Sequence, residues 1–134
     1  MSSTEKIHLE IITPEGQVLQ EMVDSIVAPG TLGSFGILAD HAPIMSALKI
    51  GILEYTKNGQ KEKVAISQGF LENSHNEVMV LVHTAELGKK IDRERALAAK
   101  SRAEKHLAEK KPELDTKRAE AALTRAIARI KASE

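Results

Sequence analysis

The last third of the chain most limits what this sequence can fold into. After Gly88 the chain contains no glycine, and most of its residues are Ala, Lys, Arg, Glu and Leu. These residues have high helix propensity, and the composition is typical of long helices. We therefore predict that residues 89–134 are helical and form a part distinct from residues 1–88.

A proline divides this helical part in two. Asp92 is suited to cap the first turn of a helix, or to lie within it, and that helix would run to about Lys110. Pro112 ends the helix, because the residue before a proline is disfavoured in the helical conformation, whereas proline suits the first turn of the next helix. The predicted helices span about 92–110 and 113–131.

Each predicted helix carries an apolar stripe at helical spacing, so the two should pair as an antiparallel hairpin. The stripes are mostly alanine, and a buried methyl group contributes only about 1 kcal/mol, so the hairpin is weakly closed. The helices can stay helical while they separate, which predicts a movable arm. The stripes consist of Ala96, Ala99, Ala103 and Leu107, and of Ala119, Leu123, Ala126, Ile127 and Ile130.

Residues 1–88 consist of short apolar or alternating runs separated by turn residues, which predicts an antiparallel β-sandwich. Asn58-Gly59 and Pro14-Glu15-Gly16 lie between such runs, and Asn-Gly is a strong hairpin signal because both residues accept positive φ. The segment from Pro29 to Pro43 is predicted to be a shaped, partly exposed loop. The clearest strands are Ile7–Ile12, Met22–Ala28, Ile50–Tyr55, Lys63–Ser67 and Val78–His83. The predicted fold class is α+β, with a sandwich over 1–88 and a hairpin over 89–134.

The charge is divided between the two parts. Residues 1–88 hold 5 Lys+Arg and 11 Asp+Glu, a net charge of −6, whereas residues 89–134 hold 14 and 8, a net charge of +6. All six arginines lie in the second part. This asymmetry predicts an electrostatic partner for the hairpin.

Composition also excludes several classes of function. With only three aromatic residues and no cysteine, the chain has no stacking platform for nucleic-acid bases, no disulfide and no thiolate chemistry. The five histidines do not cluster, and we expect neither a metal site nor a catalytic site. No apolar run approaches the roughly 18 residues of a membrane-spanning helix, and the N-terminus lacks the layout of a signal peptide, so we expect a soluble, cytoplasm-like setting without membrane insertion.

The arginines are the strongest candidate for a binding function. Arg95 and Arg102 share one face of the first helix with Asp92 and Ala99, and the second helix carries a similar row. Guanidinium groups that converge from two antiparallel helices need an anion between them, and a polyphosphate would serve. The alternative is that these are solvated charges in i,i+4 pairs with glutamates of the same helices. The row on the second helix consists of Arg118, Arg125 and Arg129.

Four segments together resemble the epsilon subunit of F-type ATP synthases, over essentially the whole chain. Three lie in the first part, in the family's order and at similar spacing. The fourth is similar to the I/L-D-x-x-R-A motif with which some bacterial epsilon subunits bind ATP. The segments are Ile12-Thr13-Pro14-Glu15-Gly16, Gly36-Ile37-Leu38 with His41-Ala42-Pro43, Gly69-Phe70-Leu71-Glu72, and Ile91-Asp92-Arg93-Glu94-Arg95-Ala96.

The resemblance implies a non-catalytic part of the rotor. The sandwich would couple the gamma subunit to the c-ring, with Gly36 and His41 near the c-ring loops. The hairpin would extend along gamma into the alpha/beta hexamer, meet an acidic segment of beta, and inhibit ATP hydrolysis. The chain would then lie peripherally at the cytoplasmic face of a bacterial cell membrane.

The resemblance further implies a regulatory ATP site. We expect the side chains on its adenosine side to be Glu86, Ile91 and Asp92, while arginines hold the phosphates. Bound ATP would stabilise the folded hairpin against the extended, inhibitory form. The residues that match the family's ATP-binding pattern are Glu86, Ile91, Asp92, Arg95, Ala96, Arg102, Arg125 and Arg129.

Two other functions stay open at this point. One is a free-standing nucleotide-sensing module, and the other is an adaptor whose basic helices bind an acidic protein or nucleic acid. The composition argues against nucleic acid, but basic helices alone do not distinguish these partners.

Overall fold

A computed structural model describes residues 5–109 and 113–134. In these residues ten strands precede a 3-10 turn and two helices, and the predicted α+β fold class is confirmed. The helices are α1 (Arg93–Ala108) and α2 (Glu113–Ala132), and the 3-10 turn is Gly88–Lys90. The strands are β1 (Ile7–Thr13), β2 (Gly16–Val23), β3 (Ser25–Gly30), β4 (Gly33–Leu38), β5 (Ile44–Leu48), β6 (Gly51–Lys57), β7 (Gln60–Ile66), β8 (Gly69–Ser74), β9 (Glu77–Val82) and β10 (Ala85–Leu87).

The strands form one sheet that folds over its own core. The order is β10-β7-β6-β3-β5-β8-β9-β1-β2, and β4 pairs with β3 outside this path. A single bridge between Gly30 and Leu48 joins the two halves, and β2 packs against β6 across the core. The inward residues alternate along each strand; in β1 they are Ile7, Leu9 and Ile11, all fully buried.

Two details differ from the sequence prediction. The predicted strand Met22–Ala28 is divided at Asp24, whose carboxylate accepts a hydrogen bond from Lys6 and another from the Asn58 backbone N–H at 3.0 Å. The predicted loop from Pro29 to Pro43 is largely the β3–β4 hairpin. Its glycines and prolines favour an irregular loop, but Pro29 and Gly30 pair with Ser34 and Gly33 across a tight turn, and Gly30 also pairs with Leu48 of β5.

One strand pair also departs from the antiparallel pattern. β1 runs antiparallel to β2 but parallel to β9, with Leu9 opposite Val78 and Ile11 opposite Val80. A parallel pair needs a long connection, and here the connection is the whole of β2 to β8. The turn prediction at Asn58-Gly59 agrees with the structure, because both residues have positive φ between β6 and β7.

Alanine side chains form the seam between α1 and α2. Ala96 and Ala103 of α1 and Ala119 and Ala126 of α2 are buried. The helices are antiparallel, because Ala96, near the start of α1, packs with Ala132 at the end of α2. The predicted break at Lys111-Pro112 and the predicted last residue of the first helix, Lys110, lie outside the described residues.

The Lys6–Asp24 pair generates a prediction about pH. The hydrogen bond from Lys6 lowers the pKa of Asp24, so the pair stabilises the fold above the unfolded-state pKa of about 3.9 and ceases to do so as the pH falls through the lower folded-state pKa. We expect Asp24→Asn to lower the melting temperature at pH 7 and to match the parent at the acid end of the titration. Thermal unfolding followed by circular dichroism from pH 7 to pH 2 measures this. Glu15→Gln, in the β1–β2 turn, is the control; a deficit that persists in acid would contradict the charge-based account.

Candidate anion-binding site on the helical hairpin

An open groove runs between the two helices, with a volume of about 700 Å³. Alanines line its floor, and their short side chains leave the space between the longer charged side chains unfilled. Charged side chains from both helices stand along it. We call it the interhelical groove, and its lining residues are Ala99, Arg102, Ala103, His106, Asp115, Arg118, Ala119, Ala121, Ala122 and Arg125.

Three arginines line this groove and form no ion pair with any residue that the structure describes. Within residues 5–109 and 113–134, neither an ion pair nor a side-chain hydrogen bond is formed by Arg102, Arg118 or Arg125. Asp115 is the sole carboxylate among the groove's lining residues. The alternative of i,i+4 pairs with glutamates of the same helices is therefore not seen for these three arginines. An anion would supply the missing charge.

A second, smaller groove lies between α2 and the edge of the sheet, with a volume of about 270 Å³. Arg125 lines both grooves and so connects them. In this sheet–helix groove, Arg129 Nε donates to Glu86 Oε1 at 2.6 Å and Nη2 donates to Glu86 Oε2 at 3.3 Å. The remaining lining residues are Ala65, Ile66, Thr84, Ala85 and Ala128.

The other residues of the predicted ATP pattern lie at the start of α1, where two of them are buried and one caps the helix. The Asp92 carboxylate caps the helix, since its Oδ1 accepts from the Arg95 backbone N–H at 3.2 Å. Ile91 and Ala96 are buried in an apolar cluster with Ala65 and Ala132. Arg95 is exposed and, unlike Arg102, does not line the interhelical groove. The structure thus gathers Glu86, Arg125 and Arg129 in one groove and Arg102 and Arg125 in the other.

Sequence reasoning missed two residues of the site. Arg118 lies on the same helix face as Arg125, but the family's ATP-binding pattern does not include it. His106 lies four residues after Arg102 and therefore projects into the same groove. Helical phase alone was enough to find both.

A lysine fixes the turn that leads into the hairpin. Lys89 Nζ pairs with Glu62 Oε1 of β7 at 2.8 Å, and this hydrogen bond raises the pKa of Lys89. The pair ties the 3-10 turn to the sheet.

The two predicted c-ring residues lie in and just after the β3–β4 hairpin. Gly36 is exposed in β4, opposite Val27, and His41 follows the strand. The buried Asn73 side chain holds this segment by donating to the His41 and Ala42 carbonyl oxygens, at 3.3 and 3.2 Å. Beside it, the hydrogen bond between Glu5 and Asp40 raises the pKa of Glu5 and lowers that of Asp40.

One outer surface of the sheet is apolar although it is not covered. Phe70 of β8 lies opposite Leu81 of β9 and Ala47 of β5, and Phe70 and Leu81 are 59% and 48% exposed. Met45 and Met79 extend the same surface, which we call the outer apolar face. Sequence reasoning missed this surface, yet its signal is the uninterrupted apolar run from Val78 to Val82. A strand with one solvated face would alternate.

Two classes of site are not found in the described part of the chain. No group of three or more His, Asp or Glu side chains there could hold a metal ion. None of its helices is long and apolar enough to cross a membrane.

Sequence comparison finds relatives along the whole chain. The delta/epsilon chain β-sandwich domain of ATP synthase matches residues 6–88, and the delta/epsilon chain long alpha-helix domain matches residues 89–134. The ATP synthase epsilon chain of Desulfitobacterium hafniense (strain Y51) is 51% identical over 125 residues, which cover 93% of this chain and 94% of that one. That of Desulforamulus reducens is 49% identical over 134 residues, 100% of both chains.

Solved structures agree with these relatives. A chain of the Euglena gracilis mitochondrial ATP synthase, seen by cryo-EM as OSCP, F1 and c-ring, superposes with a TM-score of 0.82 at 27% identity over 96% of this chain and 82% of that one. A chain from the central stalk and c-ring of the Tetrahymena thermophila enzyme has a TM-score of 0.64 at 14% identity, over 97% and 98%, and shares the fold.

A β-sandwich domain followed by a helical domain is the domain order of the delta/epsilon chains of ATP synthase. The chain belongs to the family of F-type ATP synthase epsilon subunits, which are non-catalytic subunits of the central stalk. This confirms the family that the four sequence segments indicated, and it confirms the prediction that the chain is not an enzyme.

The capping contact of Asp92 can be separated from any ligand contact. Removing an N-cap carboxylate costs about 1 kcal/mol, so Asp92→Ala should lower the free energy of unfolding by about that amount in the absence of ATP. Asp92→Asn keeps an N-capping oxygen and should stay near the parent. Urea unfolding followed at 222 nm measures both. An Asp92→Ala variant as stable as the parent would show that the cap does not stabilise α1, and equal losses in the two variants would assign the effect to the carboxylate charge and not to the hydrogen bond.

Proposed function

We propose that this chain couples the gamma subunit to the c-ring in a bacterial ATP synthase and inhibits ATP hydrolysis through its hairpin, with ATP as a regulatory ligand. ATP is bound and not hydrolysed. One observation carries the proposal: three arginines, unpaired among the residues that the structure describes, line one groove between two helices whose mutual contact is mostly alanine. The chain works at the cytoplasmic face of the cell membrane, held there by its partners.

The triphosphate occupies the interhelical groove. Arg102 comes from α1 and Arg125 from α2, so an anion between them joins the two helices. Each planar guanidinium can bind phosphate oxygens in a bidentate manner. Arg118 provides a third cation along the same groove, about two helical turns from Arg125, and would meet the far end of the phosphate chain.

The adenosine lies toward the sheet–helix groove, which Arg125 connects to the phosphates. The Glu86 carboxylate there can accept hydrogen bonds from an amino or ribose hydroxyl group. To do so it must share, or exchange, its present hydrogen bonds from Arg129. Ile91 and Asp92 shape the nearby start of α1, and Arg95 and Ala96 follow in its first turn.

ATP regulates by shifting the equilibrium between the folded and the extended hairpin. A ligand that binds only the folded hairpin stabilises it by about 2.7 kcal/mol at 100 times its dissociation constant. The extended hairpin, with a net charge of +6 over residues 89–134, reaches an acidic segment of the beta subunit in the alpha/beta hexamer. High ATP therefore disfavours inhibition, and low ATP permits it.

The sandwich holds the rotor contacts. The outer apolar face is exposed in the isolated chain, and an uncovered patch of Phe70, Leu81 and two methionines is typical of a protein interface. We assign it to the gamma subunit. Gly36 and His41, on the segment held by Asn73, are assigned to the c-ring loops.

Titration with ATP tests the ligand. At 100 times the dissociation constant, ATP should raise the melting temperature of the isolated chain by about 5–10 °C. Arg102→Ala with Arg125→Ala should abolish the shift, and Arg118→Ala should reduce it. Lys105→Ala, which removes a charge from α1 outside the groove, is the matched control. An unchanged melting temperature in the parent chain would remove the ATP site.

Binding to the gamma subunit tests the interface. Phe70→Ser with Leu81→Ser should weaken association at least tenfold, because both side chains would be buried at its centre. Val27→Ser, an exposed valine of β3, is the control and should bind as the parent does. Affinity measured by surface plasmon resonance on purified gamma distinguishes them. Equal binding of all three proteins would place gamma elsewhere; ATP binding without any assembly would favour a free-standing nucleotide sensor.

A further inference from the structure

The hairpin is attached to the sandwich mainly through the C-terminal part of α2. This helix packs on β6, β7 and the 3-10 turn. At the point of attachment Ala132 is 4% exposed and lies in the apolar cluster with Ala65, Ile91 and Ala96. Three of these four side chains are single methyl groups, and the partly buried Ile52 and Ile130 pack against them, so the fully buried part of the attachment is made mostly of small side chains.

Gly88 allows the closest approach at this attachment. It is buried in the 3-10 turn, and a Cβ atom there would overlap the Ala132 carbonyl oxygen and lie 2.9 Å from the Lys63 carbonyl oxygen. Its φ is not in the left-handed region, so the backbone conformation itself does not require glycine. The glycine is needed because α2 ends directly against it.

The ion pair between Glu86 and Arg129 lies beside the contact between Gly88 and Ala132. Glu86 precedes Gly88 by two residues, and Arg129 precedes Ala132 by three, so the Glu86–Arg129 pair joins the same two segments. The Glu86–Arg129 ion pair and the close contact between Gly88 and the Ala132 carbonyl oxygen thus lie side by side. Both depend on the position of one turn of α2.

We propose that Gly88 and Ala132 are positioning residues whose contact keeps the hairpin folded on the sandwich before any ligand binds. Gly88 and Ala132 line neither of the two grooves. Enlarging either residue therefore releases the hairpin while the side chains assigned to ATP binding in the two grooves are left unchanged. The regulatory meaning of this contact rests on the proposed function, but the contact itself does not.

The close contact at Gly88 indicates how far a substitution should shift the ratio of undocked to docked hairpin. Overpacking a close contact shifts an equilibrium on the order of tenfold or more, and backbone oxygens cannot move away as a flexible side chain would. We expect the ratio of undocked to docked hairpin to rise at least about tenfold in Gly88→Ala. The apparent affinity for ATP should fall in proportion to the remaining docked fraction.

A distance measurement on the full chain tests the proposal. The chain has no cysteine, so Gln60→Cys and Ala108→Cys provide two unique spin-label sites, on β7 and at the end of α1. Gly88→Ala and Ala132→Leu should each add a population at longer distance by double electron–electron resonance. Ala98→Leu, which enlarges an exposed alanine of α1, should keep the parent's distribution.

The outcomes separate this proposal from the ATP site. Unchanged distributions in both Gly88→Ala and Ala132→Leu would overturn it, and Ala132→Leu decides alone if Gly88→Ala does not fold. If ATP stabilises the parent chain but neither variant opens, the proposed role of the Gly88–Ala132 contact is wrong and the ATP site stands. If the variants open while ATP has no effect on the parent, the positioning contact stands and the ATP site is wrong.

Discussion

Buried alanines make most of the contact between the two helices, and alanines also lie where the hairpin meets the sandwich. Ala96, Ala103, Ala119 and Ala126 fill the seam between the helices, and Ala132 meets the sheet. Each buried methyl contributes about 1 kcal/mol, roughly half or less of what a leucine would add. The helices therefore approach closely without being strongly bound to each other. The grooves, the unpaired arginines and the narrow attachment at Gly88 all follow from this choice of small side chains.

The charge on the hairpin works against its own closure. Arg102, Arg118 and Arg125 face one groove from two helices, so closing the hairpin brings like charges together. A seam of leucines would offset this repulsion by burying more apolar area than a seam of alanines does. A bound polyanion reverses the sign of the interaction, and an acidic partner can do the same in the extended form. One set of arginines thus accounts for both proposed states.

Local signals predicted much of this architecture. Helix propensity and apolar periodicity predicted the two helices, and Asn58-Gly59 predicted the turn between β6 and β7. Pairing between distant segments was out of reach: the parallel β1–β9 pair and the Glu86–Arg129 ion pair join residues that only the folded chain brings together. Arg118 could have been assigned from helical phase, and the outer apolar face from the continuous run Val78–Val82. The close contact at Gly88 has no local signature, because its partner, the Ala132 carbonyl oxygen, is a backbone atom at the other end of the hairpin.

The central claim is that ATP binds the folded hairpin and holds its two helices together. Amide hydrogen exchange of the full chain, followed by mass spectrometry with and without ATP, tests this directly because it reports each helix separately. The account predicts slower exchange across both α1 and α2 when ATP is present, with the strands of the sandwich far from the grooves unchanged. Equal exchange in the helices with and without ATP would contradict it.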